Sequence, residues 1–176
     1  MSGECKVRAA VAADIPGITR IYCHYVLTHT STFEIDPPDE DEMQTRWRLL
    51  VDAGFPYLVA VSGDAVLGFC YIGPYRSRIA YRYTGENSVY LDPQCLQRGI
   101  GSALMRQCMV LAAAAGVREV VAVIGDSANI ASIRMHENLG FRYTGNLRNV
   151  GYKFDRWLDT VIMQRTLAAS PDLAIP

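Results

Sequence analysis

Apolar positions near the start of the chain recur at helical spacing. Ile15, Ile18, Ile21, Tyr22 and Tyr25 share one face of a helix. Ala13-Asp14-Ile15-Pro16 reads as its start, with Asp14 placed to cap and Pro16 in the first turn. The short mixed stretch Cys5–Ala10 before it reads as a first strand. Asp36-Pro37-Pro38-Asp39-Glu40 closes this region and caps a second helix carrying Met43, Trp47, Leu50 and Val51. At Tyr57 the period changes. Tyr57–Val61, a Gly63-Asp64 turn and Val66–Ile72 read as a β-hairpin, which Gly73-Pro74 breaks.

A polar loop rich in arginine and tyrosine follows from Tyr75 to Gly85, and Ser88–Leu91 is a short strand ending at Asp92-Pro93. Gln97–Ser102 leads into a helix over Ala103–Ala115 that Gly116 stops. The continuous apolar run Glu119–Ile124 predicts a strand covered on both faces. Asn129–Leu139 is a helix ended by Gly140, and Phe141–Leu147 with Thr160–Gln164 form a last pair of strands. The pattern predicts an α/β (α+β) chain, a single domain with a mixed, partly antiparallel central sheet flanked by helices.

Composition narrows the function classes. The 176 residues and 19.5 kDa suit one domain, and 50% hydrophobic with 20% charged residues is enough to build a core rather than a disordered chain. A net charge of −1 and a pI near 6.3 argue against a protein that wraps nucleic-acid phosphate. No run reaches the ~18–20 apolar residues of a membrane span. Met-Ser-Gly-Glu-Cys-Lys at the start lacks the layout of a signal peptide, so the expectation is a cytoplasmic protein. Cys5, Cys23, Cys70, Cys95 and Cys108 are odd in number and lack C-x-x-C spacing, which predicts reduced thiols and neither a disulfide framework nor a metal site.

Gly99-Ile100-Gly101-Ser102 opening a helix is the first feature with chemistry in it. Successive N–H groups and the helix dipole there favour an anion such as a pyrophosphate; the alternative is a tight strand-to-helix turn. A dinucleotide fingerprint would need glycine where Leu104 stands, and a Walker loop would need Lys-Ser/Thr after Gly101. Arg76 and Arg78, two apart, share a face if their segment is extended and would then hold a carboxylate; the alternative is a solvated pair.

The order of these parts resembles the GNAT N-acetyltransferase core: Val89-Tyr90-Leu91-Asp92-Pro93, the glycine turn and helix, the apolar strand, then Asn129, Ser132 and His136-Glu137-Asn138-Leu139-Gly140-Phe141. Phe33, Gly73-Pro74-Tyr75-Arg76-Ser77-Arg78, Tyr81, Thr84-Gly85-Glu86, Arg134-Met135-His136-Glu137 and Gly151-Tyr152-Lys153 resemble its phosphinothricin/methionine sulfoximine acetyltransferase branch. The resemblance spans about residues 6–167 of a single 1–176 domain.

It implies acetyl-CoA as co-substrate, no metal, and an amine acceptor of small amino-acid type. Glu86 would take the amine's proton directly or through water; the alternative is a solvated or salt-bridged glutamate facing Arg76, Arg78 or Arg82. Main-chain N–H groups around Val89 and Tyr90 would hold the oxyanion, Tyr90 thereby counting among the catalytic residues. His136 stands where many such enzymes present a tyrosine, as acid or alternate base; a packing or dimer-contact role is the other reading. Val89, Tyr90, Leu91, Gln97, Arg98, Gly99, Ile100, Gly101 and Ser102 would bind the coenzyme, with Asn129 and Ser132 on its arm or phosphates unless Asn129 is a plain helix cap. Phe33, Arg76, Ser77, Arg78, Tyr81, Asn87 and Ser88 would line the acceptor pocket with Glu86. Leu96 occupies a place where the family usually has Arg or Gln, a departure that leaves the main-chain N–H groups to hold the pyrophosphate. A homodimer is implied, with the arginine loop near the partner, and neither nucleic acid nor membrane as partner. Two other readings share the chain's features: a protein or peptide N-terminal acetyltransferase, and a non-catalytic acyl-CoA sensor that has no need of Glu86.

Overall fold

A computed structural model of the chain describes residues 5–167. Strand β1 (Lys6–Ala9) leads into helices α1 (Ile15–Thr28) and α2 (Glu40–Asp52), followed by the hairpin β2 (Tyr57–Ser62) and β3 (Ala65–Pro74). Next come β4 (Thr84–Leu91), α3 (Ile100–Ala114), β5 (Glu119–Gly125), α4 (Ile130–Asn138) and the hairpin β6 (Arg142–Lys153) and β7 (Arg156–Thr166). The seven strands form one sheet in the order β1-β2-β3-β4-β5-β7-β6. Among the described pairings only β4 with β5 is parallel, which makes the expected mixed sheet. No helix among the described residues is long and apolar enough to cross a membrane.

Each face of the sheet has its own core. Ile18, Ile21 and Val26 of α1 and Met43 of α2 bury against Val59 and Phe69 on one side. Leu104, Met105 and Cys108 of α3 bury against Leu58, Cys70, Ile72 and Val120 on the other. Helices α1 and α2 thus cover one face and α3 the other, each turning its apolar stripe to the sheet.

Four local expectations change. Asp14 does not cap α1 with its side chain; it is buried, accepts the Val11 N–H (2.8 Å) and is clasped by Arg8 at 2.7 and 2.8 Å. β3 runs through Gly73-Pro74 instead of breaking there. Ile72 donates toward β2, to Pro56 O, and Tyr75 donates toward β4, to Thr84 O. The N–H that Pro74 lacks would therefore point past the end of β2, where no ladder bond is lost. β4 begins at Thr84, four residues before its apolar part, because its polar start is paired on both sides. The last hairpin is also longer than its apolar residues suggest: Phe154 (φ 51°) and Asp155 (φ 56°) make a two-residue left-handed turn without the Asn-Gly signal that marks such turns.

One break in the sheet positions everything that follows. β4 pairs with β5 only from Thr84 opposite Glu119 to Asn87 opposite Ala122. Beyond that point β4 stays with β3 as far as Leu91 and β5 stays with β7 as far as Gly125. The two parallel strands splay apart and leave an opening between Ser88–Leu91 and Val123–Gly125. Val123, expected to be covered on both faces, is 40% exposed there.

Candidate active site

Along β4 the main-chain groups alternate between neighbours. Thr84 O accepts the Tyr75 N–H (3.2 Å), and the Asp92 N–H just past the strand reaches Leu67 O (2.8 Å), so even-numbered residues face β3. Tyr83 O accepts the Arg118 N–H (2.8 Å) on the β5 side, so odd-numbered residues face the opening. Val89 and Leu91 therefore present main-chain groups to the gap. Tyr90 does not: its N–H belongs to the β3 ladder opposite Phe69, which removes it as an oxyanion donor. Its ring packs on Phe69, Tyr22 and Tyr25, and burial pushes its hydroxyl well above the usual pKa.

The gap ends at the start of α3. Gln97 (φ 59°) and Gly99 (φ 75°) are both left-handed, a turn that directs successive N–H groups outward. The first helical bond runs from Ala103 N–H to Gly99 O, so the N–H groups of Ile100, Gly101 and Ser102 precede the helix ladder. A Cβ on Gly101 would meet Met135 Sδ at 3.1 Å and Leu91 Cδ1 at 3.4 Å. That missing side chain lets α3 start close against β4 and α4. Arg98 and Leu96 are exposed beside the turn.

Side chains on β4 alternate too. Glu86, Ser88 and Tyr90 lie on the α1/α2 face; Asn87, Val89 and Leu91 lie on the α3/α4 face. Glu86 is half-buried. Desolvation lifts its carboxyl above the ordinary glutamate value, and the charge of Arg76 opposes that rise. The arginine loop is not extended: bends at Tyr75, Ser77 and Arg78 lead into a short turn over Ile79–Tyr81, where Arg78 O accepts the Tyr81 N–H (2.9 Å). Arg76 and Arg78 consequently do not share a strand face. Arg76, stacked over Tyr75 at 5.1 Å, is the one whose charge acts on Glu86. Ser77, Arg78 and Tyr81 are exposed, with the Tyr81 ring edge-on to Tyr75.

His136 lies on the other face from Glu86. It is 2% exposed, its Nδ1 is 2.8 Å from Ser132 O and its Nε2 is 3.0 Å from Asn87 Nδ2. A carbonyl can only accept, so Nδ1 carries the hydrogen and Nε2 accepts from the asparagine. Burial lowers the ring's pKa, so it is neutral with both nitrogens engaged. The geometry does not meet the expectation of a proton-donating His136; the ring instead ties α4 to the last β4 residue that pairs with β5. Asn87 likewise turns away from the acceptor face expected for it. Asn129 caps α4, its Oδ1 accepting the Ser132 N–H (3.2 Å).

The segment after α1 roofs the gap on the Glu86 face. Tyr25 donates its hydroxyl to Leu91 O (2.8 Å) at one rim. Thr30 donates to Asp126 (2.9 Å), just beyond β5, at the other. Lys153 is buried, which lowers its pKa, and its Nζ donates to His29 O and Thr32 O at 2.9 Å each. Phe33 lies over Gly151 and Gly125; a Cβ on Gly151 would overlap its ring. Tyr25, Thr30, Asp126 and Lys153 were not singled out for this role in the sequence. Among the described residues no three His, Cys, Asp or Glu side chains gather as a metal site.

The acetyltransferase (GNAT) domain family matches residues 7–162. A phosphinothricin N-acetyltransferase of Alcaligenes faecalis is 44% identical over 98% of this chain and 87% of its own. An L-methionine sulfoximine/L-methionine sulfone acetyltransferase of Salmonella typhimurium is 39% identical over 94% of this chain and 98% of its own. The crystal structure of a phosphinothricin acetyltransferase from Sinorhizobium meliloti in complex with AcCoA superposes with a TM-score of 0.91 at 40% identity, covering 97% of this chain and 92% of that one.

Proposed function

The chain belongs to the GNAT acetyltransferase family, and from that premise we propose that it moves the acetyl group of acetyl-CoA to the α-amino group of a small amino-acid-like acceptor of phosphinothricin or methionine sulfoximine type. One observation carries the reading: a half-buried Glu86 with a raised pKa stands on β4 beside the point where β4 and β5 part. The names of the relatives support the acceptor class.

The residues divide the work along β4. N–H groups of the Gln97–Ser102 turn receive the coenzyme's pyrophosphate. Val89 and Leu91 offer main-chain groups to the pantetheine arm, which takes the place that β5 vacates. The Val89 N–H is aimed to hold the thioester oxygen as it becomes an oxyanion. Glu86, with a proton affinity raised by burial, accepts the ammonium proton directly or through a water. The amine nitrogen then forms its bond to the acetyl carbon, the C–S bond breaks, and the second proton that the nitrogen sheds on becoming an amide passes, directly or through water, to the departing sulfur. The departing thiolate needs no acid from His136, because a thiol of pKa about 8.5 leaves as a weak base and takes a proton from water or Glu86. Arg76, beside Glu86, is placed for the acceptor's carboxylate.

The loop pinned over the gap by Lys153, Thr30 and Tyr25 favours a small acceptor over an extended peptide. A sensor reading gives no reason for a carboxylate at 86. Operation as a homodimer in the cytoplasm belongs to the same proposal.

A thiol-release assay with acetyl-CoA against amino-acid analogues and short peptides tests it, run beside Glu86→Gln. Turnover confined to the analogues is expected. The variant should keep its acetyl-CoA Kd and lose about 10²–10⁴-fold in kcat. Unchanged turnover in Glu86→Gln removes the base, and activity on peptides alone moves the protein to N-terminal acetylation.

A further inference from the structure

Among the described residues, main-chain pairing joins β4 to β5 only as far as Asn87 and Ala122. A coenzyme arm lying between the two strands needs them two spacings apart, about 10 Å. One segment bonds to both tips of this fork. Tyr25, in the last turn of α1, donates its hydroxyl to Leu91 O at the β4 tip (2.8 Å). Thr30, two residues past the helix, donates to Asp126 at the β5 tip (2.9 Å).

Both ends are anchored. Asp126 holds a left-handed backbone (φ 68°), and its carboxylate also accepts the Ala128 N–H at 3.0 Å and Arg156 at 2.6 Å. The Tyr25 ring packs against Tyr90 at 5.4 Å and His29 at 4.9 Å. Between the ends, the His29 N–H closes α1 on Tyr25 O (3.0 Å), and the Lys153 ammonium of β6 holds the His29 carbonyl. The segment is a strap, tied by one side chain at each tip and by Lys153 near its middle.

What lies under the strap needs cover. Water can attack the acetyl carbon in place of the amine. Its oxygen bonds to that carbon, the C–S bond breaks, one proton passes to the sulfur and the other to Glu86, and acetate and the coenzyme thiol leave. A base placed for an amine serves water as well. Keeping water out is what a closed segment over such a site achieves.

We propose that Tyr25 and Thr30 are positioning residues that tie the strap over the fork and keep water from the thioester, so that acetyl-CoA reacts with the amine rather than hydrolysing. The inference rests on the acetyl transfer proposed above. Its test is the acceptor-free release of thiol from acetyl-CoA, divided by the rate of transfer to whichever amino-acid analogue the wild type acetylates fastest. The ratio is taken within one preparation, so it does not depend on how much of the protein is folded. Wild type, Tyr25→Phe, Thr30→Val and Thr30→Ser are compared. Valine puts a methyl where threonine has its hydroxyl, and Asp126 keeps its bonds to Arg156 and Ala128.

Losing one hydrogen bond raises the population of the untied strap about fivefold. The ratio should therefore rise about fivefold in Tyr25→Phe and in Thr30→Val, and stay at the wild-type value in Thr30→Ser, which keeps the hydroxyl. A ratio unchanged in either variant that lacks its hydroxyl, or one that rises as far in Thr30→Ser as in Thr30→Val, overturns the strap and leaves the transfer reading intact. A wild type that acetylates none of the amino-acid analogues overturns the proposed function and this inference together.

Discussion

Glu86 and Arg76 show how a single residue acquires chemistry from its surroundings. Burial raises the Glu86 carboxyl above the ordinary value, and Arg76 opposes the rise. A base works only when deprotonated, so activity must fall as pH drops through the Glu86 pKa, at a higher pH than for a solvated glutamate. Replacing Arg76 with Gln removes the opposing charge, so the pKa climbs further. The acid limb of kcat/KM should accordingly move to higher pH in Arg76→Gln, whatever happens to its height. A pH–rate profile checks this, and an unmoved limb means that some other group is the base. His136 illustrates the converse. Its residue type suits proton transfer, yet its one ring hydrogen is engaged with Ser132 O and its free nitrogen with Asn87. The type was legible in the sequence; the partners, 4 and 49 positions away, were not.

At the scale of elements, local signals succeeded where an element depends on itself. The stripe of α1, the Asp39 cap of α2, whose side chain accepts the Glu42 N–H, and the glycine stops after α3 and α4 all stand near their expected places. They failed where pairing decides. β4 starts in the polar run Thr84-Gly85-Glu86-Asn87 because β3 and β5 flank it, and no period within those four residues says so. The β6–β7 turn failed for another reason. Phe154 and Asp155 both hold a left-handed backbone that side chains disfavour. Asp155→Gly should raise stability by about 0.5–1 kcal/mol, or a few degrees in Tm for a chain of this size. It leaves untouched the Lys153 ammonium over the Phe154 ring at 5.0 Å. Thermal unfolding reads this out, and a lower Tm would assign the Asp155 side chain a contact that outweighs the backbone relief.

For the whole molecule, the outer edge of β6, unpaired among the described residues, is the feature that asks for a partner. Leu147, Val150, Tyr152, Phe154 and Trp157 of this hairpin are each at least half exposed, with Tyr152 and Trp157 in edge contact at 5.1 Å. An edge strand carrying large apolar side chains is a pairing surface unless something covers it. The homodimer proposed above supplies a second copy. Sedimentation should give twice the 19.5 kDa chain mass for the wild type and the single mass for Trp157→Arg. A wild type that sediments at the single mass would end the dimer proposal.

Composition and period were enough to determine the fold class, because helical stripes and apolar strands run along the chain, and the order of its motifs carried the resemblance to the acetyltransferase family. Only the tertiary structure decided which groups share a face. The splay after Asn87, the turning of Val89 and Leu91 into it, the pairing of Tyr90 with β3, the bond from Asn87 to His136 and the roof held by Lys153 all arise between residues far apart in sequence. A strand's alternation assigns two faces but does not say which face meets which helix. That assignment comes from burial against α1 and α2 on one side and α3 and α4 on the other, and it is what sets Glu86 apart from His136.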